Sequence, residues 1–192
     1  MAIKITDKES CVKYGQEWDD KRKICNLSWS KFRNTTLKSA DLSDADMQGA
    51  DLSNADMFRA NLEWSILREA KLTRAILENA DLSEANMRDA NLSDTDMFRA
   101  NLERSYLNEA KLARAYLNNA DLNHALMYEA NLERSHLDEA NMRRASLTQA
   151  DLTNADLRDA ILKDAIVPPE TLDGACKKYS AHKGVCIKHW EF

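Results

Sequence analysis

From about position 25 to position 169 the apolar residues of this chain return at every fifth place, without insertion or deletion. Leu42, Met47, Leu52, Met57, Leu62 and Leu67 begin a ladder that runs to Leu162. Two places before nearly every rung stands Ala; between Ala40 and Ala165 the exceptions are Ser65, Thr95, Ser105 and Ser135. Asp or Asn often fills the place between them. An amphipathic helix needs apolar residues at a mean spacing near 3.6, and a half-buried strand needs them at every second residue. On a helix each rung would advance by about 500°, so the ladder would wander around the whole cylinder. The pattern predicts instead a chain that turns a corner every five residues, with Leu or Met and the small Ala inward and three positions outward. Self-similarity at a fixed period marks a stacked solenoid.

The repeats Ala-Asp-Leu-Ser-Asp (Ala40 to Asp44), Ala-Asn-Leu-Glu (Ala60 to Glu63) and Ala-Asp-Leu-Thr-Asn (Ala150 to Asn154) resemble the pentapeptide-repeat family, whose pattern is A(D/N)LXX. The resemblance covers about three quarters of the chain. It implies an all-β solenoid, a right-handed quadrilateral parallel β-helix with four corners to a coil. Coils of about 20 residues that pair backbone to backbone at roughly 4.8 Å make about seven coils, a rod on the order of 35 Å long. The resemblance also brings the activity best known in the family, in which an acidic, dimeric rod mimics duplex DNA, inhibits DNA gyrase and protects it from quinolones.

A stacked solenoid has two ends that need covering. Positions 1–24 lack the repeat and are expected to cap the first coil with Tyr14, Gly15 and Trp18, Ile3 and Ile5 adding an extended segment. Positions 25–169 form the β-helix. Pro168-Pro169 ends the ladder after Val167, and Pro169-Glu170-Thr171-Leu172 reads as a helix start, with Gly184 as a stop. Positions 170–192 are therefore expected to hold a short helical cap. All four cysteines lie at or beyond the ends of the ladder, as the local pairs Cys11 with Cys25 and Cys176 with Cys186. Such pairs suit stapled caps in an oxidising compartment, although spacing alone does not fix connectivity. Some members of the family from oxidising compartments are similar, with a disulfide bracing a C-terminal helical cap. Cys176, His182, Cys186 and His189 have the ligand types zinc prefers, but their spacing matches no strong zinc motif, and no metal is assigned.

Charge is unevenly placed. Ala40 to Ala165 holds 24 acidic and 14 basic residues, net −10, while the two ends together carry +5. Some of the acids occupy the family's Asp/Asn place, as at Asp41, Asp51, Asp81 and Asp121, where a carboxylate can bond nearby backbone. With coils of about 20 residues, Glu69, Asp89, Glu109 and Glu129 stack in one acidic column. Arg74, Arg114 and Arg134 share another column, broken by Asp94, and Arg59 and Arg99 fall on a third. Outward apolar residues include Phe58 and Phe98 on one face; Ile66, Tyr106 and Leu126 on a second; and Ile76 and Tyr116 on another. Tucked against the corners, these side chains only finish the fold; left exposed, they form a strip suited to a protein.

Catalysis finds little support. There is no Gly-rich phosphate loop, no HExxH and no nucleophile elbow. A regular rod offers no cleft to separate the pKa values of two carboxylates. Met47, Met57, Met87, Met97, Met127 and Met142 stand on the inward ladder and read as core, while His124 and His136 read as plain surface residues. The expectation is a non-enzymatic scaffold without cofactor that binds an unidentified protein. The candidate surface comprises Phe58, Phe98, Tyr106, Tyr116 and Tyr128 together with Glu69, Asp89, Glu109 and Glu129. The alternative is the acidic DNA mimic directed at gyrase, against which the Arg columns and the Lys-rich C-terminus count. Neither direct nucleic-acid binding nor membrane insertion is expected, and the chain reads as a monomer or weak end-to-end dimer. Met1 to Lys4 opens no apolar run of signal-peptide length; the compartment reads as cytoplasmic, or periplasmic or lumenal if the cysteine pairs are oxidised.

Overall fold

The computed structural model describes Glu9, Cys11, 17–21 and 24–167. The expected C-terminal helix, the Cys176 and Cys186 pair, the zinc-like run and the Ile3–Ile5 segment lie outside the described residues. At the near end of the rod, strand β1 (Glu17–Asp19) pairs antiparallel with β2 (Ile24–Asn26), Trp18 opposite Cys25. Cys11 and Cys25 form a disulfide with their Cα atoms 5.6 Å apart, tying the N-terminal segment to the start of the ladder.

Beyond β2 the described backbone bridges to itself one coil away. Parallel bridges join each residue of the Asp/Asn column to the one 20 places on, from Asn26 with Asp46 to Ser146 with Ile166. A coil is therefore four pentapeptides, each contributing one side and one corner. The corner is a turn closed by the Ala N–H on the carbonyl of the preceding rung, as Ala45 on Leu42 at 3.2 Å. The last residue before that Ala lies in the left-handed region, Asp44 at φ 58° and Arg99 at 55° among them, which is the φ sign a type II turn needs at its third residue. Trp, Glu, Arg and His all adopt it here, although the region is costly for residues with a β-carbon. Packing and pairing on both neighbouring coils hold them there.

The five N–H groups of one repeat show why the pattern closes. Leu42 and Asp44 donate forward to Asn61 and Glu63 at 2.8 and 2.9 Å, Ala45 closes the turn, and Asp46 donates back to Cys25 at 3.0 Å. Where the place holds Asp or Asn, the fifth, on the residue after the rung, goes to that side chain two places earlier, as Ser53 to Asp51 Oδ1 at 3.1 Å and Glu103 to Asn101 Oδ1 at 3.1 Å. The Asp/Asn place thus completes a backbone account that burial makes obligatory for its inner members. Inside, the Leu and Met rungs and their Ala partners form one continuous core, nearly all of it inaccessible to solvent. The hydroxyls that replace Ala fare differently. Thr95 Oγ1 donates to the Leu72 carbonyl at 2.9 Å, while the buried Ser65, Ser105 and Ser135 hydroxyls have no partner.

Candidate protein-binding surface

Stacking at 20-residue intervals sorts the outward residues into columns on four sides. The first side, beginning at Ala40, carries Asp41, Asn61, Asp81, Asn101, Asp121 and Asn141. Each Asn donates to the Asp of the preceding coil: Asn61 to Asp41 at 3.3 Å, Asn101 to Asp81 at 3.0 Å and Asn141 to Asp121 at 2.9 Å. Alternation keeps carboxylates off one another, so this side is knitted shut rather than presented to a ligand.

The second side, beginning at Ala45, carries Ile66, Tyr106, Leu126 and Ile166 in its bridge column, and the corner after it carries Glu69, Asp89, Glu109 and Glu129. Leu126 and Tyr128 are exposed and Tyr106 is half-buried, its ring under the Arg88 guanidinium at 5.2 Å. Arg88 Nε and Asn108 Oδ1, next to each other in the corner column, find no hydrogen-bond partner. The Tyr128 phenol is held above its ordinary range by its hydrogen bond to Glu129, with burial and the charges of Glu129 and Glu109 adding to it.

The fourth side, opposite the second in chain order around the coil, gathers Ile76, Tyr116 and His136, with Phe58 and Phe98 at its corner. Arg59 and Arg99 lie over the Phe58 and Phe98 rings at 5.0 and 4.9 Å, an arrangement worth about 0.5–1 kcal/mol at an exposed site. Ile76, Phe98 and Tyr116 line a shallow depression of about 300 Å³ together with Arg74, Asp94 and Asn118.

Of the nine residues singled out from the sequence, Tyr106, Tyr128 and the four acids fall together on the second side and its corner. Phe58, Phe98 and Tyr116 fall on the fourth. There are thus two candidate surfaces rather than one. Half-burial at Phe58, Phe98 and Tyr106 shows that these rings tuck against their corners, whereas Tyr116 and Tyr128 stand out from them.

Electrostatics separates the columns further. The Arg column broken by Asp94 is neutralised there, Arg114 gripping Asp94 through Nε at 2.6 Å and Nη2 at 2.8 Å. The pair holds the Asp94 carboxyl below its usual range. At the corner after the first side, Arg104 lies 3.5 Å from Glu84 and Arg144 lies 3.8 Å from Asp164. Among the described residues no ion pair reaches Glu69, Asp89, Glu109 or Glu129.

Sequence reasoning missed one grouping. His136 is not a plain surface residue: its ring stacks on Tyr116 at 4.9 Å, and its nitrogen lies within 4.8 Å of carboxylate oxygens of Asp138 and Asp156. Arg158 already holds Asp156 through Nη2 at 2.7 Å, and Asn118 donates to Asp138, so these carboxylates are engaged within the protein. The signal lay in the 20-residue step from His136 to Asp156, which the coil length expected from the resemblance already places in one column.

The side-by-side coils, the corner turns and the Asp/Asn bonds to backbone define a β-solenoid built from five-residue units. The chain belongs to the Pentapeptide repeats family: eight copies match, across 25–63, 55–94, 65–104, 95–134 and 125–164. No curated protein matches it in a sequence search. Among solved structures it is similar to HetL, a pentapeptide repeat protein involved in heterocyst differentiation regulation in the cyanobacterium Nostoc sp., at 34% identity over 73% of this chain and 76% of that one, with a TM-score of 0.43. A pentapeptide repeat protein of the Arabidopsis thaliana thylakoid lumen is 26% identical over 69% of this chain and 74% of that one, at a TM-score of 0.33. QnrB1, a plasmid-mediated fluoroquinolone resistance protein, is 15% identical over 82% and 88% of the two chains, at a TM-score of 0.42. Family membership rests on the repeats themselves.

Proposed function

We propose that this chain is a non-enzymatic scaffold, a right-handed four-sided rod of about seven coils that binds another protein along its long faces. The observation that carries the reading is the collection of outward aromatic and aliphatic residues into columns on two opposite sides, with Ile76, Tyr116, Leu126 and Tyr128 exposed. An apolar strip that the fold itself does not cover is suited to a partner. The unit acts as a monomer or weak end-to-end dimer, without cofactor and without direct contact to nucleic acid or membrane. The test replaces Phe58, Phe98 and Tyr106 with Ala, and separately Tyr116, Leu126 and Tyr128, and compares cross-linked partners with those of the unaltered protein. Unchanged unfolding with loss of a partner supports the reading; unchanged capture overturns it.

A second reading has one observation in its favour: the four acids of the second corner, which no described cation neutralises. A negative edge of that kind could stand in for a nucleic-acid backbone on gyrase. The Arg residues over Phe58 and Phe98 oppose it. Titration of gyrase supercoiling, with an unrelated acidic protein as charge control, decides between them. Inhibition near stoichiometric concentration supports mimicry, and none at large excess retires it.

A further inference from the structure

The second side and its corner combine an uncovered apolar strip with an unneutralised acidic column, and what they fit can be narrowed; the inference rests on the protein-binding reading above. Arg68 and Arg88 stand immediately before Glu69 and Asp89, and Arg88 is drawn over the Tyr106 ring. Before Glu109 and Glu129 stand Asn108 and Tyr128, so the negative charge is unbalanced there. Lys111 and Glu133, on the next side, oppose one another in sign. The same stretch holds the exposed apolar surface, Leu126 at 38% and Tyr128 at 40% of full exposure. Ser146, Thr148 and Gln149 close the patch on the following coil.

Spacing selects the kind of segment that fits. Columns on the rod advance by roughly 4.8 Å per coil. One face of a helix repeats at about 5.4 Å, and one face of a strand at about 6.8 Å. Over two coil steps a helix lying along the rod drifts by about 1 Å, and a strand by about 4 Å. The helix keeps its side chains nearer the register of both columns than a strand does.

We infer that the second side docks a basic amphipathic helix of a partner protein, laid along the rod. Its apolar stripe covers Leu126 and Tyr128 beside the half-buried Tyr106, and its Lys or Arg stripe faces Glu109 and Glu129. The apolar contact supplies most of the affinity, and the charges fix orientation and partner choice.

The probe is a labelled synthetic peptide of about 14 residues, or roughly 20 Å of helix, with a Leu stripe beside a Lys stripe. Its control is a scrambled peptide of equal composition, and the readout is fluorescence anisotropy on the full chain. The patterned peptide should bind about tenfold more tightly than the scramble. E109Q/E129Q should weaken it about fivefold and flatten its salt dependence. L126S/Y128S should weaken it similarly with the salt dependence retained, and E84Q/D164N, on the corner of the first side, should leave it unchanged. Equal binding of the scramble would reduce the surface to a bare charge effect and overturn the inference. So would indifference to both second-side variants. If cross-linked partners are lost on changing Phe58 and Phe98 while the peptide never binds, the scaffold reading survives and the docked helix does not.

Discussion

The indole of Trp29 rests on Gly49 one coil further along: a β-carbon at Gly49 would lie 2.4 Å from the ring carbons Cε3 and Cζ3. Gly49 has φ +65°, but so, nearly, does every other corner from Trp29 to Asp164, and all of those carry side chains. Backbone conformation therefore does not account for the glycine; the tryptophan does. Trp29 is 65% exposed and can swing away, so Gly49→Ala should displace the ring and, with left-handed strain added, cost about 1–2 kcal/mol rather than unfold the rod. A double-mutant cycle in urea checks this: Gly49→Ala should cost less in the Trp29→Ala background, where only the left-handed strain remains, than in the unaltered protein, and strictly additive losses would contradict the contact.

The core predicts a gradient along the rod. Leu92 is fully buried in mid-rod, whereas Leu162 is 9% exposed near the last described coil. Leu92→Ala should cost about 2–5 kcal/mol, and Leu162→Ala clearly less. Urea midpoints of the two variants settle the order.

The Ala column offers an opposite result. Ser105 is fully buried and its hydroxyl has no partner, so Ser105→Ala should be neutral or stabilising by about 1 kcal/mol. Thr95→Val, which removes the bond to the Leu72 carbonyl, should instead lower stability by about 1 kcal/mol. A drop in thermal midpoint for Ser105→Ala would mean that its hydroxyl is satisfied.

Acid should weaken the rod through identifiable carboxylates. Asp51 is held below its ordinary pKa chiefly by the Ser53 hydroxyl, and Asp94 chiefly by the Arg114 hydrogen bond. A depressed folded pKa gives stability that is present above the unfolded value, near 3.8, and lost as pH falls through the folded one. Stability should therefore decline below about pH 4, and Asp51→Asn with Asp94→Asn should flatten that decline. Urea unfolding from pH 6 to pH 2 measures both limbs.

Joining Cys11 to Cys25, 14 residues apart, limits the unfolded chain at the rod's open end. Breaking the bridge by Cys11→Ser with Cys25→Ser should cost about 3 kcal/mol. Hydrogen exchange should rise first at β2 and the first coil, and uniform exchange along the rod would contradict a local staple.

What the sequence determined by itself was the inside. A strict period of five fits neither helix nor strand, and every repeat gives the same instruction, so the rungs from Leu42 to Leu162 and their Ala partners could be placed in the core one pentapeptide at a time. The bond from Asp or Asn to backbone two residues on was legible for the same reason, since it is local. Which outward side chains stand clear, pair or tuck in was decided only by the tertiary structure. A five-residue unit does not state how many corners close a coil, and every lateral neighbour depends on that number. The pairing of each residue with the one 20 places on brings His136 beside Asp156, seats Trp29 on Gly49 and parts Tyr106 from Tyr116. Burial follows from a pattern each repeat carries alone, whereas surface chemistry follows from which repeats stack.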